Sequence, residues 1–147
     1  MDLYTSVCYE LSERLTKRYS TSFSLSSRLF DSSIRRHIYA IYGLVRIADE
    51  IVDTYRGSDS LERLNNLEAE VARAMEAQYS ANPIVHAYAQ TARQFAIDSS
   101  LLTAFFESMR MDIDKQSFTK KQYDEYIYGS AEVIGLMCLS AFVRDEK

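Results

Sequence analysis

Asp49 and Asp53 stand in the run Arg46-Ile-Ala-Asp49-Glu50-Ile-Val-Asp53, one helical turn apart. At about 100° per residue, Ile38, Ile41, Val45 and Val52 make one apolar stripe on that helix. Asp49 falls inside the stripe and Asp53 on its flank, with Tyr42 and Arg46 close by. An ionised carboxylate taken out of water costs several kcal/mol unless something pairs with it. Two of them on an oily face therefore call for a cavity with a cation held between them. On a solvated face the same pair would cost only about 0.2–0.5 kcal/mol by repulsion and would mean little; the position on the stripe decides. Mg²⁺ takes one or two carboxylates and completes its shell with water and phosphate oxygens. An apolar cavity with such a cation suits a greasy molecule that carries a diphosphate head.

The rest of the composition narrows the class. The 147 residues predict one domain, 1–147, with a single Pro, four Gly and 47% hydrophobic content, a helical protein with a core of its own. A net charge of -4 without a basic stripe disfavours a nucleic-acid partner. Cys8 and Cys138 are too few for a zinc or disulfide framework and read as buried free thiols in a reducing cytoplasm. Met1-Asp-Leu-Tyr is not a secretion signal. The longest apolar run, Val133 to Val143, is interrupted by Gly135 and Ser140 and is too short to span a bilayer. Tyr occurs 11 times, and tyrosines line apolar cavities while keeping a polar tip.

Six helical stretches must position these residues. Leu3, Val7, Leu11 and Leu15 predict a first helix to about Arg18. The hydroxyl-rich Tyr19–Ser27 breaks the periodicity and predicts a loop. Ser32 or Ser33 is expected to cap a long helix through about Tyr55, and Gly57-Ser58-Asp59 to stop and restart the chain. A solvated outer helix runs from Leu61 to about Gln78, with Leu61, Leu64, Leu67, Val71 and Met75 inward. Pro83 opens a helix over Ile84–Ile97, and Asp98-Ser99-Ser100 caps one from Leu101 to about Lys115. Thr119 and Gln122 fit a capping box for a last helix, Tyr123 to about Val143. No strand-like alternation is sustained. The fold class is all-α, an antiparallel bundle with short connections.

Four elements in order resemble the squalene/phytoene synthase family of head-to-head prenyltransferases. They are the turn Ser20-Thr-Ser22-Phe23-Ser24-Leu-Ser-Ser27-Arg28-Leu29; Tyr39-Ala40-Ile-Tyr42 followed by Arg46-Ile-Ala-Asp49-Glu50-Ile-Val-Asp53; Met109-Arg110-Met111-Asp112; and Tyr126-Ile-Tyr128-Gly129-Ser-Ala131-Glu132-Val-Ile-Gly135-Leu136-Met137. Glu132 departs from the family's usual glycine, which brings a carboxylate to the cavity or its border. Family members run to nearly twice this length and carry a second aspartate motif, so the chain resembles the amino-terminal half of such an enzyme, an incomplete isoprenoid-synthase bundle.

The resemblance implies a division of labour. Asp49 and Asp53 would bind Mg²⁺, with Mn²⁺ as an alternative. Arg46 would contact phosphate oxygens or else pair with Glu50 one turn on. Ser20 and Ser22 would hydrogen-bond the diphosphate or their own loop backbone, Phe23 would line the pocket wall, and Arg28 would reach phosphate or close the turn. Tyr42 and Tyr126 would face the reacting carbons, where an aromatic face stabilises a carbocation, or would serve as core tyrosines. Asp112 and Asp114 are expected to orient Arg110 or cap a helix end. The implied reaction condenses two geranylgeranyl diphosphates to phytoene in carotenoid biosynthesis. The alternatives are squalene or dehydrosqualene formation from farnesyl diphosphate, and a non-catalytic isoprenoid-binding relative. The expected setting is cytoplasmic, with peripheral membrane contact for product release, and half a bundle is expected to self-associate through exposed apolar faces.

Overall fold

Asp2 accepts a hydrogen bond from the Thr5 amide at 2.7 Å and so starts α1, Leu3–Tyr19. In the computed structural model, which describes residues 1–22, 30–114 and 118–145, the further elements are α2 (Ser32–Asp49), α3 (Ser60–Ala77), α4 (Pro83–Gln94), α5 (Ser99–Asp114), α6 (Lys120–Ile127) and α7 (Val133–Asp145). Two of them run on through π-helical turns: α2 continues as Glu50–Tyr55, and Tyr128–Glu132 joins α6 to α7. The described residues thus form six helical rods without a strand. The predicted loop between α1 and α2 lies largely outside the described residues.

Local chemistry sets the boundaries. Asn82 Oδ1 accepts from the Ile84 and Val85 amides, with Pro83 in the first turn. Thr119 and Gln122 close the capping box reciprocally at 3.1 and 2.9 Å. The α2 cap is Asp31, one residue before the expected serines, and its side chain makes no capping bond. The π turn of α2 ends on Arg56 in the left-handed region, φ 49°, followed by Gly57.

The rod formed by α2 is central, packed against α1, α4 and α7, while α3 lies outside on α4 and α5. Its stripe behaves as predicted: Ile38, Ile41, Val45 and Val52 are all buried. Ile41, Val45 and Val52 join Leu64, Leu67 and Val71 of α3, Val85 and Tyr88 of α4, Phe105, Phe106 and Met109 of α5, and Val133 and Met137 in one core. Leu61, expected inward, is instead 47% exposed.

On α1 the buried face is not the apolar one. Leu3, Val7 and Leu11 point to solvent, and Thr5, Cys8, Tyr9, Ser12 and Thr16 are buried. Hydrogen bonds satisfy Thr5, Tyr9 and Thr16, while Ser12 Oγ is buried without a partner among the described residues. Thr91 Oγ1 of α4 lies 3.0 Å from the Tyr9 hydroxyl and 2.8 Å from His37 Nδ1, tying three helices at one atom. At the other end of α1, the Ser80 amide donates to His86 Nδ1, so Nε2 carries the proton and meets Thr5 Oγ1 at 2.9 Å; Thr5 in turn donates to Asp2.

The last rod is longer than its apolar run. Helix is continuous over Lys120–Val143, 24 residues long and apolar enough by composition to cross a bilayer, which corrects the expectation based on Val133–Val143 alone. Here one side of it packs on α2 and α5, and Leu136, Leu139 and Val143 remain exposed. Gly129 makes the approach to α5 close: a Cβ there would sit 2.4 Å from the Ala104 carbonyl oxygen and 2.8 Å from Ser108 Cβ.

Candidate functional site

The C-terminal ends of α1, α2 and α5 meet the last rod at one end of the bundle. Asp49 closes α2 and is half-buried; Asp53 sits within the π turn and is exposed. A π turn widens the helix by one residue per hydrogen-bonded loop and is frequent at functional sites. Both segments of this kind in the described chain lie here, one holding Asp53 and the other starting two residues after Tyr126.

Burial is the largest cause that pushes the Asp49 carboxyl up to about 6; Arg46 opposes it, and the charges of Asp53 and Asp112 push the same way as burial. Asp112 therefore belongs to the same electrostatic neighbourhood although it lies on α5. Tyr126 completes the cluster. Its hydroxyl donates to Asp112, 3.2 Å from each carboxylate oxygen. Burial first, then Asp112, Asp53 and Asp49, push that phenol up to about 12.

Arg46 spans the gap to α1. Its guanidinium carbon lies 4.6 Å from the centroid of the Tyr19 ring, and Nη2 is 3.3 Å from Glu50. The pairing with Glu50 that spacing allowed is thus present. Nε of Arg46 is buried and has no hydrogen-bond partner among the described residues, a donor held ready for an acceptor such as a phosphate oxygen.

The structure brings Arg46, Asp49, Asp53 and Tyr126 together. Tyr42 is half-buried on α2 and Ser20 follows the end of α1, each with interactions of its own. Ser22 is exposed. Phe23 and Arg28 lie outside the described residues. Asp112 departs from its expected role: Arg110 instead reaches α3, donating to Asn65 Oδ1 at 3.0 Å and pairing with Glu68. Sequence reasoning also passed over Tyr19 and Phe118, whose ring stacks on Tyr126 with centroids 5.8 Å apart. The one sequence signal for Asp112 was its place in Met109-Arg-Met-Asp112, where the adjacent arginine was the nearer candidate partner.

This donor set fits a hard divalent cation. Three carboxylates raise the local negative potential, and the buried one is held against its own ionisation, a cost that a cation would reverse. No group of three His, Cys, Asp or Glu side chains among the described residues is arranged to enclose a metal. Mg²⁺ asks for none, since it keeps water and substrate phosphate oxygens beside one or two carboxylates.

Comparison with known proteins bears on the family and the fold. The family model described as squalene/phytoene synthase matches residues 16–147. A phytoene synthase of Arthrospira platensis is 30% identical over 134 residues, covering 90% of this chain and 43% of the relative. A 4,4'-diapophytoene synthase of Staphylococcus haemolyticus is 26% identical over 136 residues, covering 89% and 47%. A crystal structure of a dehydrosqualene synthase in complex with ligand superposes with a TM-score of 0.82 at 25% identity, over 93% of this chain and 48% of that one. A squalene synthase from Alicyclobacillus acidocaldarius shares the fold, with a TM-score of 0.85 at 23% identity over 97% and 54%. The chain spans just under half the length of the two curated relatives.

Proposed function

The chain belongs to the squalene/phytoene synthase family, and from that premise we propose that it supplies one carboxylate-bearing wall of a centre that joins two allylic prenyl diphosphates head to head. The observation that carries this reading is the desolvated Asp49 carboxyl beside Asp53, with Arg46 Nε, buried and without a partner among the described residues, one turn away.

In this reading Asp49 and Asp53 hold a divalent cation, Mg²⁺ or alternatively Mn²⁺. When bound, the cation offsets charge on the diphosphate and makes it a better leaving group. Arg46 donates from Nε to a phosphate oxygen, while Glu50 and the Tyr19 ring hold the guanidinium in place. Ser20 and Ser22 add hydroxyl donors from the end of α1. Tyr126 turns a ring face to the allylic cation left behind, and Tyr42 lines the same cavity from α2. Attack by the second molecule's double bond, with loss of a proton to the released pyrophosphate, gives a cyclopropyl diphosphate; departure of its diphosphate, rearrangement and loss of a second proton complete phytoene. The preferred substrate is geranylgeranyl diphosphate and the product phytoene, a choice supported by the Met109-Arg-Met-Asp112 and Gly135-Leu-Met137 segments and by the phytoene synthase among the relatives. The proposed setting is cytoplasmic, with peripheral membrane contact through which an apolar product would be released.

A second reading, an isoprenoid binder without turnover, is favoured by one fact: the chain covers less than half of its curated relatives. Incubating the chain with Mg²⁺ and labelled geranylgeranyl or farnesyl diphosphate tests both. Mg²⁺-dependent release of pyrophosphate with a new hydrocarbon supports the synthase, and Asp49→Ala or Asp53→Ala should abolish it. Binding without release supports the second reading. No Mg²⁺-dependent binding of either substrate refutes both.

A further inference from the structure

Tyr126 is restrained at more than one point. Phe118 stacks on its ring at an interplanar angle of 29°, and its hydroxyl is equidistant, at 3.2 Å, from the two oxygens of Asp112. The ring is carried by α6 and the carboxylate by the last turn of α5, 14 residues earlier in the chain. The hydrogen bond therefore fixes the aromatic side chain against a different helix from its own. Without it, the phenol of a half-buried tyrosine at the start of the last rod would be free to swing with α6, whose residues are otherwise largely exposed. Gly129 anchors that rod to α5 one turn further along.

We propose that Asp112 is a positioning residue: by accepting the Tyr126 hydroxyl proton it locks the tyrosine ring in register with Asp49 and Asp53, so that a cation formed next to a bound diphosphate meets the open face of the ring. The role rests on the diphosphate reading given above. It accounts for a third carboxylate in a cluster where only two are needed for a magnesium ion. A carboxylate accepting from a phenol also leaves the ring more electron-rich than a free phenol, which favours attraction of a cation to its face.

The tie can be read without turnover by placing 3-fluorotyrosine at position 126 in the 147-residue chain and following its fluorine resonance. Asp112→Asn should lower the phenol's pKa by about one unit, a tenfold change in acid constant, and broaden or shift the resonance at neutral pH; Asp112→Glu should restore most of both. An unchanged titration in Asp112→Asn, with circular dichroism showing the helices intact, overturns the proposal. Adding Mg²⁺ and pyrophosphate should move the resonance in the unsubstituted chain. If the phenol responds to Asp112→Asn but not to Mg²⁺ and pyrophosphate, the diphosphate reading fails and the positioning role fails with it, while the hydrogen bond itself stands.

Discussion

Replacing Asp49 by Asn should make the free protein more stable at pH 8. Asn has nearly the same shape as Asp but no charge, so the change isolates the cost of ionising a carboxyl in this place. Burial and the nearby Asp53 and Asp112 raise the Asp49 carboxyl from 3.8 to about 6. Folding therefore favours the protonated form, and the fold binds more protons than the unfolded chain between those two values. The full penalty is felt above pH 6 and disappears as the pH falls through 6 towards 3.8. Two units correspond to about 3 kcal/mol; since Asp49 keeps partial contact with solvent, about 1–2 kcal/mol is the expected gain. Urea denaturation of both proteins at pH 8, 7, 6 and 5 measures it. The two stabilities should converge as the solution is acidified. Mg²⁺ with pyrophosphate at pH 8 should stabilise the natural chain and leave the Asn variant nearly unchanged. An Asn variant that is no more stable at pH 8, or that keeps a constant offset at every pH, would refute the claim that a desolvated carboxylate sits here.

Other consequences can be measured on the same protein. Gly129→Ala should cost about 1–3 kcal/mol through overpacking, because the new methyl would sit 2.4 Å from the Ala104 carbonyl oxygen; a thermal midpoint equal to that of the parent would contradict the close approach. Burial holds the His37 imidazole down to about 4, with Arg36 acting the same way. Stability from keeping it neutral is therefore complete above the ordinary value of 6.5 and is lost as the pH falls towards 4, by up to about 3 kcal/mol. His37→Gln should remove that part of the acid sensitivity, as judged by denaturation between pH 7 and 5. Thr91→Val leaves the Tyr9 hydroxyl and His37 Nδ1 without their shared partner and should cost about 2–3 kcal/mol. Exposed Leu136, Leu139 and Val143 should drive the isolated chain to self-associate; Leu139→Glu should shift it towards monomer in light scattering, and a monodisperse parent would show that the face is tolerated by water.

Hydropathy periodicity located the rods because it reports the largest energetic term, the transfer of apolar area. It placed the α2 stripe correctly, and with it Asp49. It missed where a helix buries something other than its oiliest side. On α1, Leu3, Val7 and Leu11 face out while Thr5, Tyr9, Ser12 and Thr16 face in; the partners of Thr5 and Tyr9, His86 and Thr91, come from α4, more than 80 residues along the chain. Pairings of that range leave no local pattern. Asp112 was misread for the same reason. Its neighbour in sequence was Arg110, but the helix carries Arg110 towards α3 and Asp112 towards Tyr126. The capping box at Thr119 was legible because both partners lie within four residues.

The π segments give the protein an unusual sensitivity to counting. Each stores one surplus residue relative to a plain α ladder, so removing a single amino acid from Glu50–Tyr55 or Tyr128–Glu132 could be absorbed by tightening the backbone, with the rod left unbroken. The surplus is taken up by the wider turn, so what lies beyond the deletion would keep nearly the rotational phase it has now, while the residues inside the segment would be re-spaced. Such a protein would keep its helices and much of its oil-filled interior, and the change would fall on Asp53 or on the turn that follows Tyr126. Removing one residue from either stretch is thus a local probe of the chemistry, because it re-seats a few side chains and leaves the rest of the rod in place.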